Sequence, residues 1–304
     1  MDYHIKNAKS VLKKNGKSFY WAGKLLTEEY INRASLLYCF CRALDDIADS
    51  GKENALNQLN SIRLNVRKKL FSKLENLYKI KYPTFFKEPS HKAVIDLIDG
   101  LILDQNNVLF KEQRELIRYS YHVAGTVGLM MCDAVKCTND EAKLFAIDLG
   151  IAMQLTNIAR DVLEDANMGR RYLPGSWIDN ISPNDIVIAA KTNDLKKIKI
   201  ISNGIKKLLL LAESYYSSGA KGFFYLPLKS RIAISVASGV YRQIGVQLQN
   251  QKHNWHNGRQ VTSILTKTKI TLLSILKELF LHRLKKEHKS ELHIDLKGLV
   301  NFDK

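Results

Sequence analysis

LTNIARDVLEDANMGRRYLP, residues 155–174, sets the problem that the rest of the chain answers. Its acids are Asp161, Glu164 and Asp165, its bases Arg160, Arg170 and Arg171, and it stops at Gly-Arg-Arg-Tyr-Leu-Pro. Taken as a helix at 100° per residue, Gln154, Asn157, Asp161 and Asp165 share a stripe about 80° wide, with Glu164 and then Arg160 on its flank. Ile151, Leu155, Ile158, Ala159 and Val162 fill the neighbouring arc. Asp161 and Asp165 stand one turn apart, roughly 6 Å between Cβ atoms, where like charges repel unless a cation lies between them. A second segment, YCFCRALDDIAD at residues 38–49, has the same build. Tyr38, Arg42, Asp45 and Asp49 fall within about 60° of one another, with Asp46 at the edge. An amphipathic helix with a solvated acidic face has the same pattern, so one such pair says little. Two facing stripes, by contrast, can hold several Mg²⁺ ions around a diphosphate, because oxygen ligands at this spacing suit Mg²⁺ shared with substrate phosphates. Nearby arginines supply the cationic donors that a diphosphate needs.

The bulk numbers agree with a single large helical domain. The chain has 304 residues and 45% hydrophobic content, enough for a sizeable core. The prolines are Pro83, Pro89, Pro174, Pro183 and Pro227, leaving long proline-free spans for helices. Apolar residues recur at three and four, as in Leu144, Ile147, Ile151, Leu155, Ile158 and Val162, and strand-like alternation is scarce. The pattern predicts helices near 3–15, 28–50, 53–80, 91–103, 108–133, 139–165, 184–193, 195–219, 228–250 and 260–287. Thr138-Asn-Asp-Glu141 fits a capping box, and Ser182-Pro183 a helix start. The loop from Ala166 to Ile181 has the length of a lid. An all-α domain over 1–287 is expected, followed by a charged tail, 288–304, that frays.

No apolar run reaches the roughly 18–20 residues of a membrane span, and the N-terminus lacks the apolar core of a secretory signal. Cys39, Cys41, Cys132 and Cys137 lack zinc-site spacing and are expected as free thiols. The net charge of +17, from 47 Lys+Arg against 30 Asp+Glu, favours anionic partners. No nucleic-acid motif accompanies it.

At these residues the chain resembles the squalene/phytoene synthases, the head-to-head prenyl transferases. KSFYWAGKLL (17–26), YCFCRALDDIAD, YSYHVAGTVGLM (119–130), QLTNIARDVLEDANMGRRYLP, AESYYSSGAKGFFYLP (212–227) and VYRQIGVQLQ (240–249) each resemble a family block, in order, over about residues 15 to 270. The resemblance implies an all-α isoprenoid synthase fold around one central cavity. It implies two prenyl diphosphates joined in two steps through a cyclopropyl diphosphate. It makes Asp45, Asp49, Asp161 and Asp165 the metal ligands, for Mg²⁺ with Mn²⁺ as a substitute, and gives Asp45 and Asp161 a catalytic part with Arg160. It places Ser18, Tyr38, Arg42, Gln154, Asn157, Arg160 and Tyr241 on substrate, and Tyr119 in proton or diphosphate handling. Arg170 and Arg171, just past the end of the helix, are expected to reach the diphosphate as a lid closes, which makes Arg171 a substrate-binding candidate. At Asn15 some relatives have a histidine, which puts a contact there in doubt.

EDANMGRRYLP looks most like phytoene synthases, which join two C20 geranylgeranyl diphosphates and need no NADPH. A squalene or dehydrosqualene synthase using C15 farnesyl diphosphate is the nearest alternative. A head-to-tail prenyl transferase would need a second DDxxD, which is absent. A non-catalytic membrane-associated relative had no need to keep all four aspartates. Peripheral association with anionic membrane, from the cytoplasm, is expected from oily substrates and a basic surface, and no nucleic-acid partner is expected. Tyr20, Trp21, Tyr38, Phe40 and Tyr119 are candidate aromatic faces for a carbocation. Gly125 and Gly128 are candidates for close approach by a prenyl chain or another helix.

Overall fold

The computed structural model describes residues 2–50, 54–106, 108–280 and 284–299. Its helices, in chain order, are α1 (Asp2–Asn15), α2 (Lys17–Gly23), α3 (Glu28–Ala48), α4 (Ala55–Arg67), α5 (Phe71–Tyr78), α6 (Glu88–Leu103) and α7 (Gln113–Ser120). A π-helical turn (Tyr121–Gly125) joins α7 to α8 (Thr126–Ala134). There follow α9 (Asp140–Arg160), α10 (Val162–Asn167), α11 (Pro183–Thr192), α12 (Leu195–Gly219), α13 (Leu228–Asn250) and α14 (Ile264–Phe280). Short 3-10 turns occupy Gly175–Trp177, Ala220–Tyr225 and Ser290–Leu296. Among the described residues the only β pairing is an isolated parallel bridge between Leu109 and Arg171. The all-α architecture expected from the periodicity is the one observed among the described residues.

Helix α9 is the axis of the molecule. It packs along α12, α8, α13 and the π-helical turn, and Ile151, Ala152, Leu155 and Ala159 on it are fully buried. The approach to α8 is close enough to exclude a side chain. A Cβ at Gly128 would sit 2.1 Å from the Ala146 carbonyl oxygen, and one at Gly150 would sit 2.2 Å from that of Ala124. Helix-to-helix contact therefore requires glycine at 128.

Local chemistry sets most boundaries. Ser182 caps α11 by accepting from the Asp185 N–H, with Pro183 at the first helical position. The box expected at Thr138 shifts by one residue: Asn139 is the cap, accepting from the Glu141 N–H. Four expected spans break. The 53–80 span, whose first residue lies outside the description, divides at Lys68–Leu70, where Lys69 takes a positive φ of 55°. The 108–133 span begins only at Gln113, because residues 108–111 hydrogen-bond the chain around Arg171 and Gly175. The 139–165 span pivots at Asp161, between α9 and α10. The 260–287 span is helical only over Ile264–Phe280, and 281–283 lie outside the description.

The tail does not fray where it is described. Leu296 is fully buried, Tyr215 donates to the Leu292 carbonyl at 2.7 Å, and Arg118 donates to the carbonyls of Asp295 and Lys297. The apolar residues between its charges, Leu292, Leu296 and Leu299, dock on the main core.

Candidate active site

A cavity of about 770 Å³ runs between α2, α3, α8, α9 and α13. Its lining on α9 extends from Arg160 back to Ala142, about 27 Å at 1.5 Å per residue. One end carries Asn15, Ser18, Tyr38, Arg42, Asp45, Gln154, Asn157, Arg160, Tyr241 and Arg259. The lining beyond is apolar and small: Val127, Gly128, Met131, Ala142, Phe145, Ala146, Leu149 and Ile234 among others. Cys132 and Cys137 lie here too, and all four cysteines are free thiols. Helical spacing explains the sorting, since the polar stripe of α9 ends where its glycine- and alanine-rich stripe begins.

Of the four expected ligands, Asp45 lines the polar end of the cavity, while Asp49, Asp161 and Asp165 are not in its lining and connect to it through their charges. Burial pushes the Asp45 carboxyl up to about 7, and the negative charges of Asp49, Asp46 and Asp104 add to the rise while Arg42 opposes it. Asp165 is pushed up to about 7 as well, by burial first, then by Asp161, with Asp104 and Glu164 contributing and Arg170 opposing. The charge of Asp104 thus reaches both stripes. Asp104, at the end of α6, is a residue the sequence patterns missed. It accepts from the hydroxyls of Tyr119 at 2.8 Å and Tyr172 at 2.9 Å, and burial raises its own pKa despite those bonds. A lone aspartate at a helix end has no periodic partner to mark it; only the fold brings it between the two stripes.

Asp161 is held differently. Arg160 and Arg259 both grip it in two-pronged fashion, Arg160 Nε at 2.6 Å and Arg259 Nε at 2.9 Å. Burial alone would raise the carboxyl, but these arginines hold it below the usual carboxylate range. Arg259 sits in the connection between α13 and α14, where Gly258 takes a φ of 96°. It is the second residue that sequence reasoning missed, since a lone arginine in a basic loop carries no signal.

Not every expected residue faces the cavity. Tyr119 is buried, stacked on Tyr172 with ring centroids 4.8 Å apart, and its hydroxyl is committed to Asp104. Arg171 departs from the expected substrate contact. Its side chain turns inward and donates to the carbonyls of Ile181 at 3.0 Å and Phe110 at 2.9 Å. Arg170 instead turns to the acids, donating to the Asp104 carbonyl and lining a small cleft with Asp165. The loop expected as a lid is anchored through much of its length, with Tyr172, Leu173 and Ile178 buried. Of the five candidate aromatic faces only Tyr38 lines the cavity, where Phe19 and Tyr241 join it. Phe40 packs in the core on Tyr82 and Phe86, and Trp21 donates to Thr271 on α14.

The donor set suits a hard divalent cation. It is made of oxygens, two of its carboxyls are raised by burial first and by neighbouring acids after it, and the buried Asn157 Oδ1 has no hydrogen-bond partner among the described residues.

Comparison with known proteins follows the geometry. Residues 12–266 match the squalene/phytoene synthase family. The chain belongs to that family. A 15-cis-phytoene synthase from Pantoea ananas is 32% identical over 284 residues, covering 88% of this chain and 89% of that one. The 15-cis-phytoene synthase of Enterobacter agglomerans is 32% identical over 271 residues, covering 84% and 89%. Among solved structures, a dehydrosqualene synthase in complex with ligand superimposes with a TM-score of 0.75 at 26% identity, covering 90% of this chain and 95% of that one. A squalene synthase from Alicyclobacillus acidocaldarius shares the fold, with a TM-score of 0.69 at 16% identity and coverage of 83% and 95%. As a family member the protein is a prenyl transferase of the phytoene synthase type.

Proposed function

We propose that the protein condenses two geranylgeranyl diphosphates head to head, through a cyclopropyl diphosphate, to phytoene. The observation that carries this reading is a set of acids, Asp45, Asp49, Asp104, Asp161 and Asp165, linked by their charge effects on one another, with Asp45 lining the polar end of a deep apolar cavity. Asp45, Asp49, Asp161 and Asp165 would hold Mg²⁺, which when bound neutralises charge on the diphosphate as the allylic C–O bond breaks. Arg42, Arg160 and Arg259 line the same end and donate to diphosphate oxygens. Tyr38, Phe19 and Tyr241 offer π faces to the allylic cation. The apolar walls exclude water that would otherwise capture that cation. The double bond of the second substrate then attacks the cation, and the proton lost as the cyclopropane ring closes passes to the released diphosphate, the base left at the polar end. Tyr119 acts from behind: burial and the Asp104 charge push its hydroxyl far above its ordinary pKa, so it stays protonated and positions Asp104.

A C20 substrate is favoured over C15 by the relatives, whose names are phytoene synthases at about 30% identity over most of the chain. Purified protein with Mg²⁺ is expected to convert geranylgeranyl diphosphate to phytoene without NADPH. Turnover of farnesyl diphosphate alone would replace phytoene by dehydrosqualene or squalene as the product.

The same reading includes peripheral contact with an anionic bilayer. No helix among the described residues is long and apolar enough to cross a membrane. Helix α14, however, exposes Leu265 at 84%, Leu272 at 59% and Phe280 at 83%, interspersed with Lys267, Lys269 and Lys277. Val261, just before it, is 72% exposed and also lines the cavity, so an oily chain has a short path between the two. Replacing Leu272 and Leu276 by glutamate is expected to cut flotation with anionic vesicles at least fivefold. Unchanged flotation would move the contact elsewhere.

A further inference from the structure

Away from the cavity, one buried cluster has no part in the proposed condensation. Asp148 lies in the middle of α9, fully buried, and two histidines from the C-terminal segment converge on it. His288 Nε2 is 2.8 Å from Asp148 Oδ2, and His293 Nε2 is 2.7 Å from Oδ1. The imidazole centroids are 4.3 Å apart, and one ligand atom from each of the three residues lies within 4.8 Å of the others. Both histidine side chains are themselves more than nine-tenths buried. Phe145 covers the cluster edge-on at 5.2 Å from His288.

We propose that Asp148, His288 and His293 form a structural zinc site that fastens the C-terminal segment to α9. Two imidazole nitrogens and a carboxylate are a donor set for a divalent transition metal and a poor one for Mg²⁺, which prefers oxygen. The carboxylate is in its ligand form at neutral pH: burial alone would raise it, but the two histidines hold it below the usual carboxylate range. Zinc replaces each Nε2–H with a metal bond. Ligands at about 2.05 Å in a tetrahedron stand about 3.3 Å apart, so the present contacts of 2.7–2.8 Å need to open by about half an ångström. His288 precedes the 3-10 turn at Ser290–Leu296 and His293 lies within it, so the opening falls on their side chains, whereas Asp148 is fixed in a long helix. Three protein ligands leave a fourth tetrahedral position, which a water would fill.

The site is separate from the acidic cluster, and its test does not depend on the condensation. Untagged full-length protein, stripped with a chelator and treated with zinc, is passed through a desalting column and its metal content measured. One zinc per chain is expected, both in the parent and in an Asp45→Asn/Asp161→Asn variant that lacks the active-site acids. His293→Gln, which keeps a hydrogen bond to Asp148, is expected to lose that zinc and the zinc-dependent rise in Tm. Retention of equimolar zinc by His293→Gln, or no retained zinc in the Asp45→Asn/Asp161→Asn protein, overturns the proposal. Co²⁺ gives an answer on the parent chain alone. Tetrahedral d–d absorption at one equivalent supports the site, and its absence leaves a histidine–carboxylate hydrogen-bonded latch.

Discussion

Neighbouring residues of the same type have opposite fates here, and the difference is testable. Arg170 and Arg171 are adjacent and chemically identical, yet one faces the acids and the other closes a buried turn. Arg171→Ala strands two buried carbonyls and is expected to lower stability by about 2–4 kcal/mol, seen in the denaturant midpoint. Arg170→Ala is expected to leave the midpoint within about 0.5 kcal/mol and to lower kcat/KM at least tenfold. Equal loss of stability in both would refute the division of labour. Asp45→Asn keeps the shape of the side chain but removes a charge from the proposed metal cluster. Its turnover is expected to fall at least a hundredfold with the circular dichroism spectrum unchanged. Periodicity displayed Asp45, Asp49, Asp161 and Asp165, because helical spacing is written in the sequence. It was silent on Asp104 and Arg259, which reach the site from the end of one helix and the loop before another.

At the scale of elements, helix type and order were legible, and the interruptions were not. The π-helical turn at Tyr121–Gly125 falls inside an unbroken apolar pattern, and no capping residue announces it. It begins at Tyr121, the second of two neighbouring tyrosines with separate acid partners, Tyr119 on Asp104 and Tyr121 on Asp96. Such turns are frequent at functional sites because the extra residue re-aims side chains. The contact of α8 with α9 is the other element-level result. Gly128→Val places branched carbon where the Ala146 carbonyl already sits. Insoluble or strongly destabilised protein is expected, on the order of 3 kcal/mol or more by thermal melt. Wild-type stability would mean that α8 and α9 have room that the close approach denies.

For the whole molecule, the acidic end of the cavity makes stability depend on pH. Asp45 and Asp165 are raised to about 7 in the folded protein, while an unfolded aspartate ionises near 3.9. Between about pH 4 and pH 7 the folded state therefore holds protons that the unfolded state has released. Stability with chelator present should fall across that window, on the order of 1 kcal/mol per pH unit for each group, and level off above it. Mg²⁺ is expected to restore stability above pH 7, and Asp45→Asn to flatten the slope, both read by thermal melts from pH 5 to 8. A metal-free melting temperature that rises over this range would contradict the burial of these carboxyls. The sequence by itself determined the all-α class, both acidic stripes and the family, because helical periodicity and motif spacing are local properties. Only the tertiary structure decided which charges share a site, which arginine faces it, and that the charged tail docks on α9, because those outcomes depend on contacts between segments far apart in the chain.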